Sequence, residues 1–255
     1  MSHAGRATSQ LYHAASEMLR AEHDHPEIVV SWDPQRVSAA AASHMLELLC
    51  DLVGEGSRFE VGDTIQWGQR ALHVVAGEQV GRPDAVAIFE PDLAIGPEDR
   101  EVDRARLLPG ATFTLLCWRA QRAVADSFDV DYRMALVPSQ RDELEHCPRI
   151  HQASALVLMR GQEPVDESSG WFVGCRDDDC DHRRERAVAS VWQVTRRHPG
   201  VIPFLGLPVG CLAHLGADGS VAACDGDDQD LPIANGSYLA RHGWRSPFDL
   251  PDILD

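Results

Sequence analysis

The sequence lacks the assembled catalytic motifs that can be recognised by pattern. It has no Gly-x-Ser-x-Gly nucleophile elbow, no phosphate-binding P-loop, no dinucleotide-binding glycine fingerprint and no His-Glu-x-x-His. An enzyme needs a nucleophile, an acid–base pair or a metal, and acidic residues that are merely abundant do not supply one. We therefore expect no catalytic residue and no cofactor, and the sequence favours a binding protein over an enzyme.

Long apolar runs are also missing. No run approaches the ~20 residues that a membrane helix needs. The N-terminal segment MSHAGRATSQ has no apolar core, so it does not predict a signal peptide. The seven cysteines are odd in number and scattered, which suits a reducing compartment better than a disulfide framework. We expect a cytoplasmic protein.

Lysine is absent altogether, so all 23 basic residues are arginines, against 40 acidic residues. We interpret the missing lysine as the mark of a GC-rich bacterial genome. The resulting net charge of -17 argues against binding to nucleic acid or to an anionic membrane, and it is compatible with a basic protein partner. The hydrophobic content of 44% is enough for a packed core.

The hydrophobic pattern predicts an α+β fold, with small, mostly antiparallel sheets packed with helices in two regions. Apolar residues three or four apart predict long helices at 35–53 and 111–128 and shorter ones at 11–22 and 187–197. Short strands are predicted at 28–32, 64–67, 71–75, 85–89, 155–159 and 171–173. Asp218-Gly219 predicts a hairpin turn between 209–215 and 220–223. We divide the chain into an N-terminal region, 1–150, and a C-terminal domain with its tail, 151–255.

Several short motifs lie together between residues 155 and 224. They are Arg160 with Glu163-Pro164, Ser169-Gly170-Trp171, the acidic run after Gly174, His198-Pro199 and Leu207-Pro208-Val209-Gly210. This succession resembles the immunity protein 33 family, also known as domain of unknown function 2185. The resemblance implies a protein that neutralises a toxin of a bacterial competition system. Family members often have Asp directly before Ser-Gly-Trp, where this chain has Ser168.

Acidic segments flank the strand predicted at 171–173. We assign partner binding to seven carboxylates and one aromatic residue: Glu163, Asp166, Glu167, Asp177, Asp178, Asp179, Asp181 and Trp171. Exposed carboxylates can steer a cationic partner, and an aromatic side chain can anchor it. The loop from Asp177 to Asp181 is the denser of the two segments, so we expect the basic surface of a toxin to dock there.

Two thiols and an imidazole in the same stretch leave an alternative open. Cys175, Cys180 and His182 could supply three zinc ligands, with Cys211, Cys224 or an aspartate as the fourth. The spacing is loose and a second Cys-x-x-Cys pair is missing, so we expect no metal. The alternative reading is a small metal-binding protein, or an unrecognised hydrolase that uses these three residues.

Overall fold

Two mixed β-sheets and the helices packed on them make up the fold, as seen in a computed structural model. The structure describes residues 11–16, 18–92, 106–177, 180–181 and 185–248. Most described strand pairs are antiparallel, and each sheet contains one parallel pair. The α+β class predicted from the hydrophobic pattern is confirmed.

The first sheet is built from the N-terminal part of the chain. Its strands are β1 (Tyr12–Ala15), β2 (Glu27–Trp32), β3 (Thr64–Trp67), β4 (Arg70–Ala76), β5 (Ala85–Pro91) and β6 (Leu107–Pro109). The order is β1-β2-β5-β4-β3, with β6 also paired to β5. The parallel pair is β2 with β5. Both strands are almost wholly buried, and they therefore read as continuous apolar runs in the sequence.

The second sheet follows in the chain and is the larger one. Its strands are β7 (Glu143–His146), β8 (Leu156–Arg160), β9 (Ser168–Cys175), β10 (Ala187–Ser190), β11 (Leu212–Leu215), β12 (Val221–Cys224) and β13 (Asp230–Leu231). The order is β10-β7-β9-β8-β11-β12-β13, and β7 runs parallel to β9. Its longest strand, β9, has eight residues and lies between β7 and β8.

Helices cover one face of each sheet. They are α1 (Leu19–His23), α2 (Ala39–Gly54), α3 (Thr112–Ser127), α4 (Val191–Arg197) and α5 (Tyr238–His242), with 3₁₀ turns at Gly77–Val80, Met134–Leu136, Pro148–Gln152 and Pro199–Gly206. The helix α2 buries Met45 and Leu49 completely. The helix α3 packs against Pro199–Gly206, where Gln121 Nε2 donates to the Ile202 carbonyl at 3.3 Å. Among the described residues, no helix has both the length and the apolar character needed to cross a membrane.

Two of the predicted helices are wrong in part. The segment predicted as one helix at 11–22 forms the strand β1, paired with β2, followed by the short helix α1. The segment at 187–197 begins as the strand β10 and becomes helical only at Val191. A capping box sets that start, because Ser190 Oγ accepts from Gln193 N and Gln193 Oε1 accepts from Ser190 N. The division of the chain at residue 150 stays a prediction, and β7, which precedes it, lies in the second sheet.

Candidate partner-binding surface

One face of the second sheet packs on the core, and the other face carries a continuous row of side chains. The strand register places Val188, Glu145, Phe172, Met159, Leu212 and Cys224 directly opposite one another across six strands. Residues opposite each other in neighbouring strands share a face, so we call this set the outer row. It is largely apolar, and Val188 and Met159 are 57% and 38% exposed. A solvent-facing apolar row of this kind is a surface that a partner can cover.

A shallow depression of about 260 Å³ lies beside the outer row. It is lined by Glu145, Met159, Gln162, Trp171, Phe172 and Arg186, among others. The Arg186 guanidinium lies 5.1 Å from the centre of the Phe172 ring and 2.5 Å from Glu145 Oε2. The Phe172 ring also lies against Gly174, where an added Cβ would come within 3.0 Å of it. The depression therefore has an aromatic floor and a charged rim, which is the usual anatomy of a protein interface.

Exposed carboxylates lie at both ends of β9, in line with the positions expected from the sequence. Glu163, Asp166 and Glu167 are exposed in the connection between β8 and β9, at the start of β9. Asp177 and Asp181 are exposed beyond the other end of the strand. Asp178, Asp179 and His182 lie outside the described residues. The two acidic segments thus lie at opposite ends of the outer face.

The fold adds carboxylates that the sequence reasoning missed. Asp227 and Asp228 are exposed in the turn between β12 and β13, and Asp230 is exposed in β13. The register places this turn at the same end of the sheet as Glu163, because Cys224, Leu212 and Met159 are level with one another. The hairpin predicted at Asp218-Gly219 is the sequence signal for this position. Because β8, β11 and β12 are antiparallel neighbours, the chain returns at the end of β12 to the end of the sheet where Glu163 lies.

Trp171 occupies a different position from the carboxylates. Its side chain is 2% exposed, and the Arg160 guanidinium lies 5.6 Å from its ring. Arg160 is itself buried and donates to the carbonyl oxygens of Leu207 and Leu136. Burial lowers the pKa of Arg160, and the nearby charge of Glu163 opposes that shift. The Arg160 side chain therefore ties the Leu207-Pro208 segment to the sheet and covers the tryptophan.

Three thiols meet at the end of β9 nearer Asp177. The sulfur atoms of Cys147, Cys175 and Cys180 all lie within 4.8 Å of one another, and all three residues are buried. Burial raises the pKa of the Cys175 thiol to about 12. The sequence pattern indicates Cys175 and Cys180 but not Cys147, which lies 28 positions before Cys175.

The fourth ligands considered from the sequence lie elsewhere. Cys224 is level with Met159, whereas Cys175 is level with Leu156, at the opposite end of β8. Cys211 directly precedes β11 and accepts from Arg160 N through its carbonyl, so it also lies at the far end. The idea that Cys211 or Cys224 completes a zinc site with Cys175 is therefore wrong, because the antiparallel register separates them.

The fold and surface define an α+β protein whose second sheet has an open, partly apolar face with acidic ends. Comparison with known families is consistent with that class: residues 120–223 match the family model of the Imm33-like domain. The resemblance inferred from the motifs is confirmed for the C-terminal part of the chain, and it indicates an immunity-protein family. The match begins inside α3, further N-terminal than the motifs. No curated protein and no solved structure matches the chain.

Proposed function

We propose that this protein is a non-catalytic, cytoplasmic immunity protein that binds and neutralises a cognate bacterial toxin through the outer face of its second sheet. The observation that carries the proposal is the Imm33-like match, which spans the strands β7 to β11 completely, most of β12 and the C-terminal half of α3. The free state of all seven cysteines supports a reducing compartment. The net charge of -17 supports a partner with a basic surface.

The dimensions of the surface suit a single partner. A strand of eight residues such as β9 spans roughly 26 Å at about 3.3 Å per residue. A protein interface of standard size buries about 800 Å² on each partner, which is enough to cover the outer row and reach both acidic ends. Apolar contacts at Met159 and Val188 would then be flanked by exposed carboxylates. Such rim charges mainly accelerate association and set its salt dependence.

Replacement of the carboxylates tests the electrostatic part of the proposal. The test uses the cognate toxin, and association rates are measured over a series of salt concentrations. Glu163→Gln/Asp166→Asn/Glu167→Gln and Asp177→Asn/Asp178→Asn/Asp179→Asn should each slow association and flatten its salt dependence. Exposed charges are screened over about 8 Å at physiological ionic strength, so the wild-type rate should fall as salt rises.

A charge-matched control is available on α2. Glu47→Gln/Asp51→Asn/Glu55→Gln also removes three negative charges from exposed positions, two of them on α2 and the third directly after it. This variant should associate at nearly the wild-type rate. If all three triple variants slowed association equally, the effect would come from net charge alone and the proposed surface would be rejected.

The apolar part of the surface is tested separately. Met159→Asp should accelerate dissociation and abolish protection of cells that express the toxin, because it places a charge at the centre of the outer row. Val61→Asp is the control, since Val61 is 48% exposed but lies outside the second sheet. Full protection by Met159→Asp would contradict docking on this face. Failure of the wild-type protein to protect cells would contradict the immunity function itself.

A further inference from the structure

Three separate segments of the chain each place one cysteine thiol at the same buried position. Cys147 directly follows β7, and its N–H donates to the Val173 carbonyl at 3.0 Å, which extends the pairing of β7 with β9. Cys175 ends β9, and its N–H donates to Cys147 Sγ at 3.2 Å. Cys180 is turned back toward them, because its N–H donates to the Asp177 carbonyl at 3.1 Å. The relative exposures of the three residues are 0%, 0% and 8%.

We propose that Cys147, Cys175 and Cys180 form a thiolate site for a thiophilic d¹⁰ cation, Zn²⁺ or Cu⁺. Thiolates select these soft ions over magnesium or calcium. Zinc–sulfur bonds of about 2.3 Å place tetrahedral sulfur ligands roughly 3.8 Å apart. The three sulfur atoms already lie within 4.8 Å of one another, so small side-chain rotations close the remaining gap. On binding, each S–H bond breaks, its proton passes to the buffer, and a sulfur–metal bond replaces it.

The expectation of no metal considered Cys175, Cys180 and His182 with Cys211, Cys224 or an aspartate as the fourth ligand. It changes because the fold brings Cys147 to the same point as Cys175 and Cys180. Three thiolates satisfy a trigonal Cu⁺ and fill three of the four positions that Zn²⁺ prefers. A bound ion would join the ends of β7 and β9 to the segment that carries Asp177 and Asp181. The site would thereby fix the start of the segment that carries Asp177 and Asp181. Metal binding itself requires no toxin.

Metal titration of the full-length protein tests the site. The reduced, metal-free chain is titrated anaerobically with Zn²⁺ in one arm and Cu⁺ in the other, each against a chromophoric chelator of known affinity. We expect one tightly bound equivalent in at least one arm. Cys147→Ser and Cys180→Ser should each lose at least tenfold in affinity, as removal of a ligand requires. Cys50→Ser and Cys224→Ser are controls, since both thiols are half-buried and lie outside the cluster.

X-ray absorption of the metal-loaded wild-type protein provides a readout that needs no variant. The expected first shell contains three sulfur atoms, at about 2.3 Å for zinc. This measurement decides the question even if Cys147→Ser fails to fold. Fewer than three sulfur ligands, no bound equivalent in either arm, or equal affinity in wild type and Cys180→Ser would each overturn the proposal. The toxin-protection assay plays no part, so the site can fail while the immunity function holds.

Discussion

Gly170, in the Ser-Gly-Trp motif, is the position where one added methyl group should have a large effect. Its φ of +72° lies in the left-handed region, and an added Cβ would come within 2.1 Å of the Gln162 carbonyl oxygen. The contact is with backbone, so a side-chain rotation cannot relieve it. The Gly170→Ala variant should therefore fold with lower stability, and the change should arise in the connection between β8 and β9.

The magnitude follows from two terms. A left-handed conformation costs an L-residue roughly 1–2 kcal/mol. Moving the Gln162 backbone by about 1 Å to restore normal contact resembles overpacking, which typically costs about 1–3 kcal/mol. The free energy of unfolding should fall by about 2–5 kcal/mol in total. For a chain of this size each kcal/mol lowers the melting temperature by roughly 2–4 °C, so the shift is easily measured.

Gly161 supplies the matched control, because it lies at the start of the connection between β8 and β9. An added Cβ there meets nothing within 4 Å, and its φ is not left-handed. Gly161→Ala should change stability by less than about 1 kcal/mol, and in the stabilising direction if at all. Both variants are compared with wild type by urea denaturation followed by circular dichroism. Equal midpoints for Gly170→Ala and Gly161→Ala would refute the steric reasoning.

Two further predictions concern the core and the histidines. Leu49 is fully buried in α2, whereas Leu52 is 37% exposed. Leu49→Asp should therefore lower the free energy of unfolding by more than ~3 kcal/mol and Leu52→Asp by less than about 1 kcal/mol. Chemical denaturation measures both, and similar losses would contradict the orientation of the helix. Burial lowers the pKa of His198 below 6.5, and the neighbouring charges of His151 and Arg197 lower it further. As the pH falls, the unfolded chain therefore binds a proton at this histidine before the folded chain does. The free energy of unfolding should fall as the pH drops below 6.5. His198→Gln should flatten that pH dependence of the urea midpoint, and an unchanged slope would contradict it.

The sequence predicted those elements whose pattern is local. The helices at 35–53 and 111–128 appear as Ala39–Gly54 and Thr112–Ser127, because an apolar face repeated over sixteen residues is a strong signal. The hairpin across Asp218-Gly219 appears as β11 and β12, because its turn residues are specific. The short segment at 11–22 was wrong because pairing with β2 outweighs the helical spacing of a few residues.

Features that depend on strand register could not be read from the sequence. Cys147 joins Cys175 only because β7 runs parallel to β9, and nothing local marks that pairing. The same holds for Asp227 and Asp228, which reach the Glu163 end of the sheet through three antiparallel strands. Charge density along the chain therefore identified the acidic segments but could not indicate which of them share one end of the sheet.

Four of the residues that carry the family resemblance are interior residues. Arg160, Ser169 and Trp171 are each at most 2% exposed, and Leu207 is fully buried. Their physical role is to hold the connection between β8 and β9 and the segment after Pro199–Gly206 against the sheet. A partner can contact them only by displacing buried groups, at a high cost in free energy. Recognition of a particular toxin should therefore lie with exposed residues of the same sheet, those of the outer row and its acidic ends, while the four buried motif residues hold that sheet and its connections in place.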